Sequence, residues 1–195
     1  MAATKAQQIG IWIIAVVLTV GTIGSFVAIV LANDNQAKDS VTSQADYTKQ
    51  LEEYQAQQKK SAEENAANSI AISGYEASPF DAASVTALEK EILVAGTGDE
   101  VKTTDSIKAS YFGWTSDGKI FDSSTKKDTN TDTPVTFPLS SVISGWTNGL
   151  AGQRVGSTVK LTIPSDQAYA ATGSGVIPAN APLVFIVVIH SIEKE

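Results

Sequence analysis

The sequence predicts an α+β domain at its carboxyl-terminal end, behind an apolar segment and a polar stalk. From about Phe80 onward, several short runs alternate apolar and polar residues, turn residues separate them, and one stretch suits a short helix. Several strands around one helix are typical of the α+β class. Before Phe80, a nearly continuous apolar stretch is followed by a nearly continuous polar one. The core must therefore come from the last ~115 residues, a common size for a single domain.

The apolar stretch near the amino terminus is interpreted as a membrane-spanning anchor over residues 9–32. It carries no charged side chain, and about 24 residues rise about 36 Å as a helix, enough to cross a ~30 Å hydrocarbon layer. A cleaved secretory signal is the alternative because residues 30–32 suit a cleavage site, although signals have shorter apolar regions. The amino-terminal flank carries Lys5 and the free amino group, and the other flank carries Asp34 and Asp39 with Lys38. This charge bias favours a cytoplasmic segment over residues 1–8. The domain would then lie outside the cytoplasm, held at the cell membrane by a single pass.

Residues 33–73 form the predicted polar stalk. Up to Asn68 this segment contains neither Gly nor Pro and is rich in Gln, Ala, Lys and Glu, which favours a helix without a wide apolar face. One narrow apolar stripe follows the spacing i, i+4, i+7: Tyr47, Leu51 and Tyr54. Three residues are too few for a coiled coil, so a solvated helix is favoured and a dimerisation zipper remains the alternative. Gly74 and Pro79 would break the helix, and the domain is taken to span residues 74–195.

Five strands and one helix are predicted in the domain. The strands are short alternating runs bounded by turn residues: Leu88–Val94, Ser106–Trp114, Pro134–Pro138, Gly156–Ile163 and Leu183–Glu193. Turn residues lie at 96–100 and 116–118, and the helix fits Ile143–Leu150.

Charge and composition exclude several classes of function. The net charge is −7 and no basic face exists to hold phosphates, so nucleic acid is not an expected partner. The chain contains no Cys, which excludes disulfides, thiolate metal sites and a cysteine nucleophile. His190 is the one histidine and has no partner set for a metal or a triad, so a structural or solvent-facing role is expected. Arg154, Lys126 and Lys127 are interpreted as solvated surface charges, and no metal or cofactor is expected.

Three separated motifs in the domain carry a family resemblance. They are SYFGWTSDGKIFDSS over residues 110–124, VISGWTNGLAGQRVGSTVKLTIP over residues 142–164 and AYAATGSGVIPANAPLVF over residues 168–185. In this order they resemble the FKBP-type peptidyl-prolyl cis-trans isomerases, and the resemblance covers Leu88 to Glu193. It implies an FKBP-like antiparallel sheet of about five strands wrapped around one short helix. It also implies an enzyme that assists folding by isomerising X-Pro bonds.

Such an enzyme needs a cavity and a few donors, and no nucleophile. Rotation about a peptide bond faces a barrier of about 18–20 kcal/mol because resonance holds the amide planar. An apolar cavity that removes water from the amide and holds it twisted lowers that barrier without proton transfer or metal.

The resemblance implies two sets of residues at this cavity. Those implied to act on the amide are Tyr111, Phe121, Asp122, Trp146, Tyr169 and Phe185. Those implied to bind the substrate are Val135, Phe137, Val142, Ile143, Val176 and Ile177. Trp146 would lie under the proline ring, and the Ile143 N–H and the Tyr169 hydroxyl would donate to the peptide. Asp122 would accept a hydrogen bond from Tyr111 or act electrostatically near the amide.

Departures from the family pattern bear on substrate preference and rate. The segment Thr125–Thr133 is longer than the usual loop, Val135 replaces an aromatic residue, and Ala170 replaces a glycine, which disfavours a positive φ there. The implied partners are proline-containing unfolded or partly folded proteins, macrolide FKBP ligands, and the lipid bilayer through residues 9–32. A binding module or chaperone with little or no turnover is the alternative to an enzyme.

The last predicted strand has two apolar faces. The resemblance turns one face towards the core: Leu183, Phe185, Val187 and Ile189. The opposite face carries Val184, Ile186 and Val188, which would form an exposed apolar strip. We hypothesise that Ile70–Phe80 folds back over this strip. The alternative is a strip that is exposed or covered by side chains of neighbouring strands.

Overall fold

The computed structural model describes residues 40–193. The predicted membrane-spanning segment at residues 9–32 and the predicted cytoplasmic segment at residues 1–8 lie outside the described residues. Within residues 40–193, none of the helices combines the length and the apolar character needed to span a membrane.

A long polar helix, α1, precedes the domain and spans Ser40–Asn68. Most of its described side chains are exposed, including Tyr47 and Tyr54. The prediction of a polar helix is confirmed over these residues. The helix ends earlier than the break predicted at Gly74, because Ser69 already forms a β-bridge with Lys126 of the domain.

The described residues contain eight strands and a second, short helix. The strands are β1 (Glu89–Val94), β2 (Ser106–Thr115), β3 (Ile120–Ser123), β4 (Thr125–Lys126), β5 (Thr131–Asp132), β6 (Val135–Pro138), β7 (Thr158–Ile163) and β8 (Leu183–Glu193). The short helix, α2, spans Ser144–Leu150.

One antiparallel sheet organises the domain. It has six strands, in the order β1-β7-β8-β2-β3, and β6 also pairs with β2. Strands β4 and β5 form a separate two-stranded ladder in the segment between β3 and β6. The prediction of an antiparallel sheet with one short helix is confirmed, but the predicted number of about five strands was too low because β3 was missed.

Helix α2 packs closely on the inner face of β7. The backbone at Gly145 touches the Ile163 side chain, and a Cβ added at Gly149 would lie 2.6 Å from Leu161 Cδ2. Any larger residue at these two positions would push the helix away from the sheet. The two glycines therefore set the depth at which Trp146, which lies between them, enters the core at 2% exposure.

The outer face of the sheet carries a second apolar cluster, and the segment before β1 covers it. Buried members of the sheet are Phe112, Trp114, Val184 and Ile186, and the residues that cover them include Ala71, Ile72, Tyr75, Ala77 and Phe80. Trp114 Nε1 donates to the Ser78 carbonyl at 2.9 Å, and the Phe80 N–H donates to the Ser116 carbonyl at 3.0 Å. The hypothesis that this segment folds back across the sheet is confirmed.

His190 lies at the solvent-exposed end of the outer face, as expected. Its Nε2 atom is 2.7 Å from Ser110 Oγ, and the Ser110 hydroxyl donates to Asp132 Oδ2 at 2.5 Å. The serine hydroxyl therefore lies between the imidazole and the carboxylate, which is a structural link and not the order of a catalytic triad.

Candidate active site

Aromatic side chains from separate elements meet on the inner face of the sheet. Their ring centroids lie 5.3–5.4 Å apart and each pair meets edge to face, the arrangement that aromatic quadrupoles favour. The members are Tyr111 on β2, Phe121 on β3, Phe137 on β6, Trp146 on α2 and Phe185 on β8. We call this set the aromatic box.

The β-sheet makes room for the aromatic box at one glycine. A Cβ added at Gly113 on β2 would lie 2.5 Å from the Phe185 ring and 2.6 Å from the Phe121 ring. Both rings therefore lie so close to the β2 backbone that no side chain would fit at position 113.

Tyr169, predicted to act on the amide, and the remaining predicted substrate-binding residues surround the same box. Ile177 and Tyr169 are buried in the core cluster that contains it, at 4% and 8% exposure, and the half-buried members packed on that cluster include Val135, Val142, Ile143 and Val176. The structure therefore brings together every aliphatic and aromatic residue that the sequence assigned to the site. Their individual roles stay predictions.

Ala170, beside Tyr169, adopts a conformation that the sequence did not predict. Its φ is +48°, in the left-handed region that alanine disfavours. The Ala170 carbonyl accepts a hydrogen bond from the Asn180 N–H at 2.7 Å, which ties this turn to the loop before β8. The expectation that alanine would avoid a positive φ here was wrong, because the surrounding loop fixes the backbone.

Asp122 is the buried carboxylate at the edge of the aromatic box. Its Oδ2 atom accepts a short hydrogen bond from the Tyr111 hydroxyl, so the predicted hydrogen bond between these two residues is confirmed. Its Oδ1 atom accepts from the Ser123 N–H at 2.8 Å and from Asn65 Nδ2 at 2.9 Å. Lys126 Nζ lies 3.3 Å from the same oxygen. Both oxygens of a carboxylate that is 2% exposed are thus compensated.

The two tyrosines of the site hold their protons tightly. Burial raises the pKa of Tyr111 well above its usual range, and the negative charge of Asp122 raises it further. Burial also raises the pKa of Tyr169, again with a smaller contribution from Asp122. Both hydroxyls therefore remain hydrogen-bond donors at neutral pH.

Two polar residues of the site were not predicted. Lys126 was expected to be solvated, but its side chain is 20% exposed and its ammonium group contacts Asp122, Asn65 and Ser69. Asn65 lies in the segment that was predicted to be a solvated stalk, yet the residue is buried, with an exposed fraction of 8%. Asp122 and Lys126 are close in the sequence, but they lie on two different strands, and nothing in the sequence indicated that they would pair or that α1 would reach them.

Unused donors also lie at the site. Trp146 Nε1 is buried without a hydrogen-bond partner among the described residues. Ile143 is the N-cap of α2, so the helix itself does not use its N–H. No group of three or more His, Cys, Asp or Glu side chains within residues 40–193 could hold a metal ion.

Comparisons with known proteins identify relatives of this domain. The family model described as FKBP-type peptidyl-prolyl cis-trans isomerase matches residues 98–190. The chain is 46% identical over 107 residues to the FKBP-type peptidyl-prolyl cis-trans isomerase FkpA of Aeromonas hydrophila, covering 55% of this chain and 38% of that protein. It is 35% identical over 137 residues to the outer membrane protein MIP of Legionella longbeachae, covering 69% of this chain and 57% of that protein.

A solved structure is also similar to this chain. The crystal structure of a peptidyl-prolyl cis-trans isomerase from Pseudomonas syringae pv. tomato matches with a TM-score of 0.50 at 29% identity, over 83% of this chain and 100% of that chain.

The sheet, the short helix and the aromatic box define the class as an FKBP-like α+β domain. The carboxyl-terminal domain of this chain belongs to the FKBP-type peptidyl-prolyl cis-trans isomerase family. The matched residues 98–190 include every predicted site residue. The chain spans 38% of the Aeromonas FkpA and 36% of the Escherichia coli FkpA, so it corresponds to only part of these relatives.

Proposed function

We propose that this chain catalyses cis–trans isomerisation of X-Pro peptide bonds in unfolded or partly folded proteins. The observation that carries the proposal is the aromatic box with the Tyr111–Asp122 pair at its edge. The box supplies an apolar wall, and the pair adds a polar group at one defined place.

The chemistry follows from the electronic structure of the amide. Twisting the C–N bond removes its resonance, so the carbonyl becomes less polar and the nitrogen more pyramidal than in the planar ground state. Water stabilises the polar planar form, and an apolar site withholds that stabilisation. Each 1.36 kcal/mol removed from the barrier gives about tenfold in rate.

Donors at the rim of the site would hold the peptide while the bond turns. The Ile143 N–H and the Tyr169 hydroxyl are proposed to donate to peptide carbonyls, and the Trp146 ring is proposed to lie under the proline. The raised pKa of Tyr169 keeps its hydroxyl protonated for this role. Macrolide ligands, which FKBP-type domains bind in general, are proposed to compete for the same surface.

The proposed place of action is the outer side of the cell membrane. The uncharged segment at residues 9–32 supports a single membrane pass. A relative that is itself an outer membrane protein, MIP of Legionella longbeachae, supports a location outside the cytoplasm. The proposed clients are proline-containing proteins that fold there.

The test is a protease-coupled isomerisation assay on a fragment that begins at Ser40, with a short peptide that has an apolar residue before proline. We expect clear acceleration, weaker peptide binding for Trp146→Ala, and kcat/KM lower by about tenfold for Asp122→Ala. Asp128→Ala is the matched control because Asp128 is an exposed carboxylate in the same loop region. A folded fragment that binds the peptide without accelerating its isomerisation would instead support a binding module.

A further inference from the structure

The last two turns of α1 enter the active site. Three residues on one face of the helix are buried, in contrast to the exposed turns before them: Ala62 at 8%, Asn65 at 8% and Ser69, just beyond the helix, at 7% exposure. Their spacing of three and four residues places them on the same side. This side faces β3, the strand that carries Phe121 and Asp122.

Asn65 joins the two charged groups of the site. Its Nδ2 atom donates to Asp122 Oδ1 at 2.9 Å, and its Oδ1 atom accepts from Lys126 Nζ at 2.7 Å. The opposite amide orientation would set an oxygen against the carboxylate and an NH2 group against the ammonium. The surrounding charges therefore fix the amide in one orientation.

Further hydrogen bonds fasten the end of α1 to β4. Ser69 Oγ accepts from Lys126 Nζ at 3.1 Å and donates to the Asn65 carbonyl at 2.8 Å. The Lys127 N–H donates to the Asn68 carbonyl at 2.7 Å. The position of Asn65 is thus set by backbone contacts as well as by its own side chain.

A second contact connects α1 to the loop that precedes β8. A Cβ added at Gly175 would lie 2.6 Å from Ala62 Cβ, so the helix leaves no room for a side chain there. Val176 and Ile177, which the sequence assigned to substrate binding, follow directly. One helix face therefore contacts both the carboxylate and the loop at the rim of the site.

We propose that Asn65 is a positioning residue for isomerisation, which holds Asp122 Oδ1 so that Oδ2 stays against the Tyr111 hydroxyl. This inference rests on the proposed isomerase function. It makes the end of the stalk part of the catalytic unit, because release of α1 from β3 would remove one donor from Asp122 and one acceptor from Lys126. Asn65 lies outside residues 98–190, the part of the chain that the family model matches, so the family match does not assign it a role.

The test uses the full chain in detergent micelles and follows isomerisation of an X-Pro peptide by NMR exchange, which needs no coupling protease. The decisive variant is Asn65→Asp, which replaces the donor beside Asp122 with a second carboxylate. Asn68→Asp is the matched control, since it makes the same change one turn further along and keeps the oxygen that accepts from the Asp128 N–H. Asn65→Ala removes the donor without adding charge.

The pH dependence separates positioning from packing. When two carboxylates lie within hydrogen-bond distance, their repulsion raises the pKa at which the pair binds its first proton. The other charged or titratable groups that face Asp122 are Lys126 on β4, Tyr111 on β2 and Tyr169 after β7. Glu64 on α1 pairs with Lys60 on the exposed side of the helix. A proton shared between residues 65 and 122 would restore a donor to the site as the pH falls.

We expect kcat/KM of Asn65→Asp, relative to the wild type, to be lower by about tenfold at pH 8 and to recover most of that loss by pH 5. Asn65→Ala should lose about threefold at every pH, and Asn68→Asp should follow the wild type. If Asn65→Asp follows Asn68→Asp, or if it and Asn65→Ala lose activity equally at every pH, the inference is overturned while the isomerase function stands. An inactive wild type would remove the proposed function itself.

Discussion

At the scale of single residues, the buried hydroxyls of Tyr111 and Tyr169 couple the site to the stability of the domain. An unfolded tyrosine ionises near pH 10, whereas burial raises the pKa of both residues in the folded domain. The folded state therefore holds protons that the unfolded state releases. Stability is fully present below about pH 10 and is lost as the pH rises further towards the folded pKa values.

We expect the free energy of unfolding to fall by about 1.4 kcal/mol for each of these phenols between pH 9 and pH 11. Urea denaturation of a fragment that begins at Ser40 measures this fall, and the double variant Tyr111→Phe, Tyr169→Phe is the comparison. The variant should lose less stability over the same pH range. It keeps every other titrating group of the fragment and lacks only the two phenols. Equal losses would mean that neither phenol is protected in the folded state.

The sequence was informative about the apolar residues of the site and silent about part of its polar network. Tyr111, Trp146 and Phe185 stand in motifs whose order alone indicated one site. Lys126 and Asn65 are remote in the sequence from each other, and their contact depends on where α1 ends. A polar segment rich in Gln, Ala and Lys predicts a helix, but it does not predict which of its polar residues become buried against another element.

At the scale of secondary-structure elements, the segment that covers the outer face of the sheet acts as part of the domain. Its Tyr75 and Phe80 side chains are half buried against the cluster that contains Trp114 and Ile186. The apolar strip on β8 predicted such a cover because exposed apolar surface of this kind is costly in water.

We expect the double variant Tyr75→Ala, Phe80→Ala to lower the free energy of unfolding by about 2–4 kcal/mol, less than two fully buried aromatic residues would cost. The matched control is Tyr47→Ala, Tyr54→Ala, which removes two exposed aromatic residues of α1 and should change little. Chemical denaturation of the fragment that begins at Ser40 compares them. If the free energy of unfolding of the first variant is unchanged, the segment does not stabilise the domain.

Strand β3 shows why one element escaped prediction. It has four residues, and two of them, Asp122 and Ser123, are polar and buried. Period-two alternation cannot be recognised over so short a run. Helix α2 was predicted nearly to the residue although it contains Gly145 and Gly149, and the structure supplies the reason for these weak helix formers: β7 lies too close for any other residue.

At the scale of the whole molecule, α1 lies in the sequence between the segment predicted to cross the membrane and the FKBP-like domain. The last turns of α1 are fixed on β3 and β4, while most described side chains of the turns before them are exposed to solvent. The order of segments along the chain was predictable from composition, since apolar, polar and mixed stretches follow one another. The attachment of the helix to the site was not, because it depends on contacts between residues about 60 positions apart.

The proposed orientation of the chain across the membrane can be tested through the exposed turns of α1. The positive charge of Lys5 before residues 9–32 and the acidic residues after them favour a domain outside the cytoplasm. Lys49 and Lys59 on α1 are exposed, so trypsin added to intact spheroplasts should cut the stalk and release the folded domain. A cytoplasmic marker protein must stay intact in the same sample. Release of the domain only after the membrane is dissolved in detergent would reverse the orientation, because the stalk would then lie on the protected side.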